Sequence, residues 1–365
     1  MGLLRLLLAI SVVIAHSAPI FGLKMVGGQI AVQAFYMISG FYMTLVLTEK
    51  YPSGKGSYRL FLSNRLLRLF PIYWVVLILT ALLSIGLGIQ SNGSFWLKFQ
   101  PYINHYDSLS AFQLTVLSLS NIFLLGQDWL MFFGLNVTNG MFFFTPNFWD
   151  TDPQIYQFFL VPQAWTIGVE ITFYLIAPFL VRRNRWVVVA VILLSFLIRI
   201  LLASQGMKDD PWSYRFFPNE LMFFMLGTVA YWGYKRIEKL DISPRLLFIP
   251  LLIVIVNTLF LEQVHFPYKS VCYLAVFFLA LPFIFLFSRR RRFDQEIGEL
   301  SYPVYMCHML FVMVAGKFSF LTNIVGNGLF VTIAAIGFSI ILKKFIADPV
   351  EKLRQRRVRQ SLVTV

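Results

Sequence analysis

The chain has 365 residues, 58% of them hydrophobic and 13% charged, and a formal net charge of +14 at pH 7. Soluble domains carry about 25% charged residues, so this composition excludes a globule with a wetted surface and points to a chain solvated mainly by lipid. The basic excess does not indicate nucleic acid as a partner: Lys and Arg fall between apolar runs and in the tail, as in loops on a cytoplasmic face. Cys272 and Cys307 both fall in apolar segments, which sets aside a disulfide framework, and no spacing fits a metal site.

Crossing about 30 Å of hydrocarbon takes about 20 apolar residues. Such stretches lie near 3–21, 30–48, 69–89, 163–181, 186–203, 218–234, 246–262, 268–287, 301–318 and 328–344. The first, Met1 to Phe21, has the Arg5 and apolar core of a signal peptide, but it keeps His16 and further spans follow, so it is read as a retained span. Another stretch, 111–127, is shorter and richer in Ser and Asn. Charge decides whether it crosses. Basic residues collect at Lys50, Lys55, Arg59, Arg65 and Arg68, at Arg182, Arg183 and Arg185, at Lys235, Arg236, Lys239 and Arg245, at Arg289 to Arg292, and in the tail, whereas 90–162 has only Lys98. All these clusters share one side, with both termini cytoplasmic, if 111–127 does not cross. The expected fold is an all-α polytopic integral membrane protein of about ten transmembrane helices plus one re-entrant or short helix. Residues 90–162 become an outer cap, rich in aromatics and bearing Asp107, Asp128, Asp150 and Asp152. Residues 1–346 form the membrane-embedded domain, and 347–365 a basic cytoplasmic tail too short to fold alone.

Several ionisable groups fall inside the apolar runs. His16 and His308 are imidazoles at membrane depth, where burial is costly and chemistry or a proton path is the usual reason for it. Arg5 precedes His16 by eleven residues, roughly 16 Å along a helix, so the two suit opposite ends of a long substrate. An anchoring role for Arg5 and an interhelical hydrogen bond for His16 are the competing readings. In QAWTIGVEITFYLIAP, Thr166, Glu170 and Tyr174 recur at intervals of four and share a helix face offering hydroxyl, carboxyl and phenol; a structural clamp between helices is the alternative. In SYPVYMCH, Tyr305 and His308 are three apart, so His308 is either a second acid-base group or a core residue. Arg65 and Arg68 in NRLLRLFPIY lie one turn apart, placed to grip phosphates or to anchor the chain by snorkelling. Ser39-Gly40 allows either a close helix approach or a local break. Asn219 and Glu220, at the start of 218–234, are expected beside a polar cavity or its rim.

Together these segments resemble the membrane-bound acyltransferase family 3, over nearly the whole chain. That family has an arginine or lysine separated by ten residues from a histidine, here Arg5 and His16. Its Phe-rich segment ending Ser-Gly-Phe corresponds to Phe35 to Phe41, and its Arg-x-x-Arg before a proline to Arg65, Arg68 and Pro71. Its Trp-Ser-Leu-x-x-Glu followed by Phe-Tyr and proline corresponds to Trp165, Thr166, Ile167, Glu170, Phe173, Tyr174 and Pro178, and its Ser-Tyr-x-x-Tyr-x-x-His to Ser301, Tyr302, Tyr305 and His308. The chain departs from the pattern at Gln33, where an acidic residue is common, and at Thr166, which keeps the hydroxyl of the usual serine.

The resemblance implies transfer of an acyl group, often acetyl, from cytoplasmic acyl-coenzyme A to a hydroxyl of an extracytoplasmic carbohydrate or glycolipid, in a bacterial inner membrane. Acyl-coenzyme A, with acetyl-CoA the first expectation, is then a co-substrate and no cofactor is held permanently. It implies His16 as the catalytic base, and Arg5, Arg65 and Arg68 as donor-handling groups. Glu170 is expected to set the tautomer of His16 or share its proton, His308 to act as a second acid-base group, and Trp165, Thr166, Tyr174 and Tyr305 to contact substrate, with the Tyr305 or Thr166 hydroxyl facing the oxyanion. Cys307 is a weaker nucleophile candidate. A transporter or flippase for a glycan or lipid-linked sugar is the rival reading, since multiple spans and buried ionisable groups fit it too.

Overall fold

A computed structural model describes residues 1–51, 56–124, 126–317 and 326–363; Lys55 and the last residue of the 301–318 run lie outside them. Among the described residues the regular elements are helical except for one small hairpin. Among the described residues eight helical segments are long and apolar enough to cross a membrane: Gly27–Glu49, Ser57–Gln90, Pro162–Leu180, Arg185–Ser204, Pro244–Gln263, Lys269–Ser288, Arg292–Lys317 and Asn327–Gln360. Each contains or overlaps one of the expected stretches.

The other two stretches differ from expectation for local reasons. Helix α1 covers Gly2–His16, not 3–21. Pro19 disfavours helical geometry in the residue before it, and Phe21 and Gly22 both take positive φ in the turn that follows. Fifteen residues rise only about 22 Å, less than the hydrocarbon thickness, and His16 becomes the last residue of the helix instead of lying within a span. Helix α9, Phe217–Ile237, has the length but begins with Asn219 and Glu220, ends with Lys235 and Arg236, and is less apolar than the eight.

The helices used below are α2 (Gly27–Glu49), α3 (Ser57–Gln90), α4 (Gln100–Asn104), α5 (Ala111–Phe123), α6 (Gln127–Leu130), α7 (Trp165–Leu180), α8 (Arg185–Ser204), α10 (Pro244–Phe260), α11 (Lys269–Ser288), α12 (Arg292–Glu299), α13 (Ser301–Lys317), α14 (Asn327–Leu342) and α15 (Asp348–Val363). They fall into two compact units, the first comprising Met1–Arg68, Tyr174–Leu193 and Leu221–Val365, the second Leu69–Phe173 and Leu194–Glu220.

In the first unit α1 packs against α2, α10, α12, α13 and α14. Its apolar residues Leu4, Leu8, Ala9, Val12 and Val13 are almost fully buried. Its first turn leaves backbone N–H groups without helical acceptors, and the Asp294 carboxylate of α12 accepts from Gly2 (2.6 Å) and Leu3 (2.9 Å). That approach requires glycine at position 2: a Cβ there would overlap the Asp294 carbonyl oxygen. The same economy brings α2 against α9. A Cβ on Gly40 would collide with the Phe224 carbonyl, and one on Gly227 with the Met37 carbonyl, while Thr44 donates to Thr228 across the crossing at 2.9 Å. Ser39-Gly40 is thus a close approach inside an unbroken helix. Arg182 caps the far end of α2 by donating to the carbonyls of Leu47 and Tyr51.

In the second unit the 111–127 stretch forms α5, a 13-residue helix opened by a capping box between Ser110 and Gln113 and closed by Leu124 in the left-handed conformation. Asn121, near its end, accepts from the Leu160 N–H at 2.8 Å and donates to the Phe158 carbonyl at 3.0 Å, tying the helix to the loop that leads into α7. The 90–162 connection also holds an antiparallel hairpin, β1 (Phe133–Asn136) and β2 (Met141–Phe144). The Asn139-Gly140 pair in its turn is the local signal for it, with φ +67° at Gly140. Glu220, fully buried, pairs with Arg199 at 2.9 Å, and Arg199 also donates to the Ser213 carbonyl.

The described part of the tail, 347–363, is helical as well. A single π turn, Lys343–Ala347, joins α14 to α15, and α15 docks on the start of α3: Arg354 donates to the Asn64 carbonyl at 2.7 Å, and Arg357 to the Asn64 side chain at 3.2 Å and Ser63 at 2.9 Å.

Gly40→Ala should lower the thermal unfolding midpoint of detergent-solubilised protein, because overpacking of this kind costs about 1–3 kcal/mol. Gly86→Ala, where an added Cβ meets nothing within 4 Å, should leave the midpoint unchanged or raise it slightly. Equal effects of the two substitutions in a fluorescence melt would reject the crossing at Gly40.

Candidate active site

The end of α1 brings two of the expected residues together. Its last carbonyls lack helical donors and find local ones: His16 Nδ1 lies 2.9 Å from the Val12 oxygen, Ser17 Oγ donates to Val13 at 2.7 Å, and the Ser17 N–H donates to Ile14. His308 on α13 is fully buried. Its Nδ1 lies 2.6 Å from the Tyr305 carbonyl, and its Nε2 lies 3.3 Å from His16 Nδ1. The ring centroids are 5.1 Å apart.

This network assigns the tautomers. A carbonyl oxygen only accepts, so the neutral His308 ring carries its proton on Nδ1 and presents a lone pair at Nε2. In the neutral His16 ring the proton then sits on Nδ1, within reach of the Val12 carbonyl and His308 Nε2, and Nε2 is the basic nitrogen. His16 is exposed while His308 is sealed. Tyr305 contributes its carbonyl to this network, and its ring packs near His308 and Phe35. Cys307 is turned away: its thiol meets Ser339 and the Ala335 carbonyl of α14.

The three arginines also converge within the first unit. The charges of Arg5 and Arg68 both act on the half-buried Tyr42 phenol of α2. Arg65, 5% exposed, feels Arg68, Tyr51 and Tyr174, and its guanidinium stands 5.9 Å over the Phe61 ring. Tyr174 packs against the same ring and so belongs with the arginines. Tyr42 was absent from the sequence expectations, since nothing in its local pattern separates it from a packing residue.

The other expected residues belong to the second unit. Glu170 is half-buried on α7. The Thr166 hydroxyl donates to the Gln163 carbonyl at 3.2 Å. Trp165 is held by Arg215, whose guanidinium lies 4.3 Å from the indole centroid and is itself hydrogen-bonded to Asp210. Asp128 of α6 was expected in an outer cap but is 2% exposed, and its Oδ1 faces no hydrogen-bond donor among the described residues. It abuts Gly168, where a Cβ would lie 2.7 Å from that oxygen. Burial pushes its carboxyl up to about 7, against weaker opposition from its own N–H and that of Trp129. Among the described residues no group of His, Cys, Asp and Glu is arranged to hold a metal ion.

Comparison with known proteins gives one family and one distant relative. The sequence profile of an acyltransferase domain matches residues 1–344. An uncharacterized protein of Aquifex aeolicus (strain VF5) is 23% identical over 206 residues, a stretch covering 54% of this chain and 91% of the relative. No solved structure matches.

Asp128 makes a prediction with a definite sign. Its folded value near 7 lies above the ordinary 3.8, so the fold favours the neutral acid. The resulting stability is complete below about pH 4 and is lost as pH rises towards 7. Asp128→Asn should therefore raise the unfolding midpoint at pH 8, by an amount on the order of 1–4 kcal/mol, and change it little at pH 4. A melt series showing the reverse pH trend would reject the buried-acid assignment.

Proposed function

The chain belongs to the membrane-bound acyltransferase family 3, and on that premise we propose that it moves an acyl group, acetyl first among the candidates, from cytoplasmic acyl-coenzyme A to a hydroxyl of an extracytoplasmic carbohydrate or glycolipid. The protein is a membrane-embedded acyltransferase with multiple spanning helices. In this proposal α9 crosses, as does α1 together with the residues that follow it to Phe21, making ten spans in a bacterial inner membrane with both termini cytoplasmic. Arg5, Arg65 and Arg68 then mark the cytoplasmic mouth.

The observation that carries the mechanism is the tautomer network around His16. The acceptor hydroxyl attacks the thioester carbonyl carbon while His16 Nε2 removes its proton. The resulting imidazolium sits at the carbonyl end of α1, the negative pole of the helix dipole. Its Nδ1–H stays directed at the Val12 carbonyl and His308 Nε2. The tetrahedral intermediate then expels the coenzyme A thiolate, which takes the proton back from His16 to give the free thiol. His308 orients the base, a role that neither requires it to meet the substrate nor exposes it. Arg5 and His16 lie at opposite ends of α1, about 16 Å apart along the axis, a separation suited to an extended donor whose phosphates stay at the mouth while the pantetheine arm carries the thioester inward. Glu170 and the Thr166 and Tyr305 hydroxyls are assigned to the acceptor side and the developing oxyanion.

Purified protein in lipid nanodiscs, given labelled acetyl-coenzyme A and a glycan or glycolipid extract from a deletion strain, should add one acetyl mass per modified hydroxyl. His16→Ala should reduce the rate by about 10²–10⁴-fold. His308→Phe, which keeps a ring but removes both nitrogens, should lower kcat while leaving KM for acetyl-coenzyme A near wild type. Wild-type rates from folded His16→Ala protein would reject the mechanism. An acceptor that crosses the membrane with unchanged mass would establish the transport reading instead.

A further inference from the structure

The arginines at the start of α3 have counterparts in a segment that the family match does not reach. The acyltransferase profile ends at residue 344, and α15 begins at Asp348. Within α15, Arg354 and Arg357 repeat the one-turn spacing of Arg65 and Arg68 and dock on the same turn of α3. Asn64 is the junction. It is fully buried, its carbonyl and side chain accept from Arg354 and Arg357, and its amide donates to the Tyr51 hydroxyl at 3.0 Å. Arg354 is 8% exposed, and the charges of Arg68 and Arg65 both bear on it. Arg354 also donates to the Glu351 carboxylate, its one carboxylate partner among the described residues.

Four guanidinium groups gathered against one carboxylate are costly unless an anion joins them. Arg65 supplies the second observation: it is buried, and its Nε–H faces no acceptor among the described residues. If α15 served only to clip the tail onto α3, aliphatic packing would do so without concentrating charge. We propose that Arg354 and Arg357 of α15, with Arg65 and Arg68 of α3, form a cradle for a phosphate group, so that the segment beyond the acyltransferase match supplies half of an anion-binding site. Guanidinium forks on two helices can grip a phosphate from two sides. The donor nucleotide is the source assigned here, and in that respect the proposal rests on the acyl-coenzyme A reading. An anionic lipid headgroup shares the chemistry, and the test separates the two.

The experiment measures binding, not turnover. Coenzyme A is titrated against full-length protein in neutral detergent, and thermal stabilisation by phosphatidylglycerol is measured in parallel. Arg354→Gln and Arg357→Gln should each weaken coenzyme A binding about tenfold or more and raise KM for acetyl-coenzyme A with kcat nearly unchanged. Arg357→Lys should recover part of the loss. Lys352→Gln and Arg356→Gln, which remove one exposed charge from the same helix, should bind as wild type, and unfolding midpoints report whether each variant keeps its fold. Loss of phosphatidylglycerol stabilisation with intact coenzyme A binding would keep the phosphate cradle and assign it to lipid. Wild-type affinity for both ligands in folded Arg354→Gln and Arg357→Gln proteins would overturn the proposal. Because His16→Ala should bind coenzyme A normally, a chain that binds the nucleotide but transfers no acyl group would count against the catalytic reading alone.

Discussion

Helix α1 is the member on which the first unit depends, and its position is set at both ends by unsatisfied backbone groups. At its start, free N–H groups are taken up by Asp294, an approach that only a glycine at position 2 permits. At its finish, free carbonyls are taken up by the side chains of His16 and Ser17. Between these ends the helix is packed by five others. The candidate base is therefore part of a helix terminus, and the hydrogen bond that caps α1 is also the one that fixes which nitrogen of His16 holds its proton.

A second theme is the cost of burying polar groups. Low-dielectric surroundings make each one a commitment that must be met by a partner or a ligand. Glu220 is met by Arg199. Trp165 is steadied by an arginine that is itself neutralised by Asp210. Asp128 is met by becoming neutral, as its raised carboxyl value expresses. The arginines around Asn64 follow none of these routes completely, and that imbalance separates a site that awaits an anion from a finished structural contact.

Much of this was legible in order along the chain. Long apolar runs identified the eight helical segments that are long and apolar enough to cross among the described residues, because the length of an apolar helix is a local property. The one-turn spacing of Arg65 and Arg68, and the unusual place of His16 in an apolar run, could be read from the sequence. Other features were hidden for physical reasons. The early stop of α1 depended on the weight of Pro19 and a positive-φ turn against a hydropathy run that continues past them. The role of Gly40 was ambiguous because a glycine marks both a break and a close approach, and only the facing Phe224 carbonyl decides between them. Tyr174 follows Glu170 by one turn of α7, as the periodicity indicated, but the packing of its ring on Phe61 could not be read from that spacing.

What the sequence determined by itself was the apolar, lipid-suited composition of this protein, its helical character and the set of candidate polar side chains in its apolar runs, since these follow from composition and short-range spacing. What only the tertiary structure decided was partnership. His16 and His308 are separated by 292 positions, and Arg354 by 290 positions from the carbonyl it holds. Contacts at such separations depend on how helices cross, and a crossing is governed by backbone approach at a few small residues that no periodicity along one strand of sequence can report.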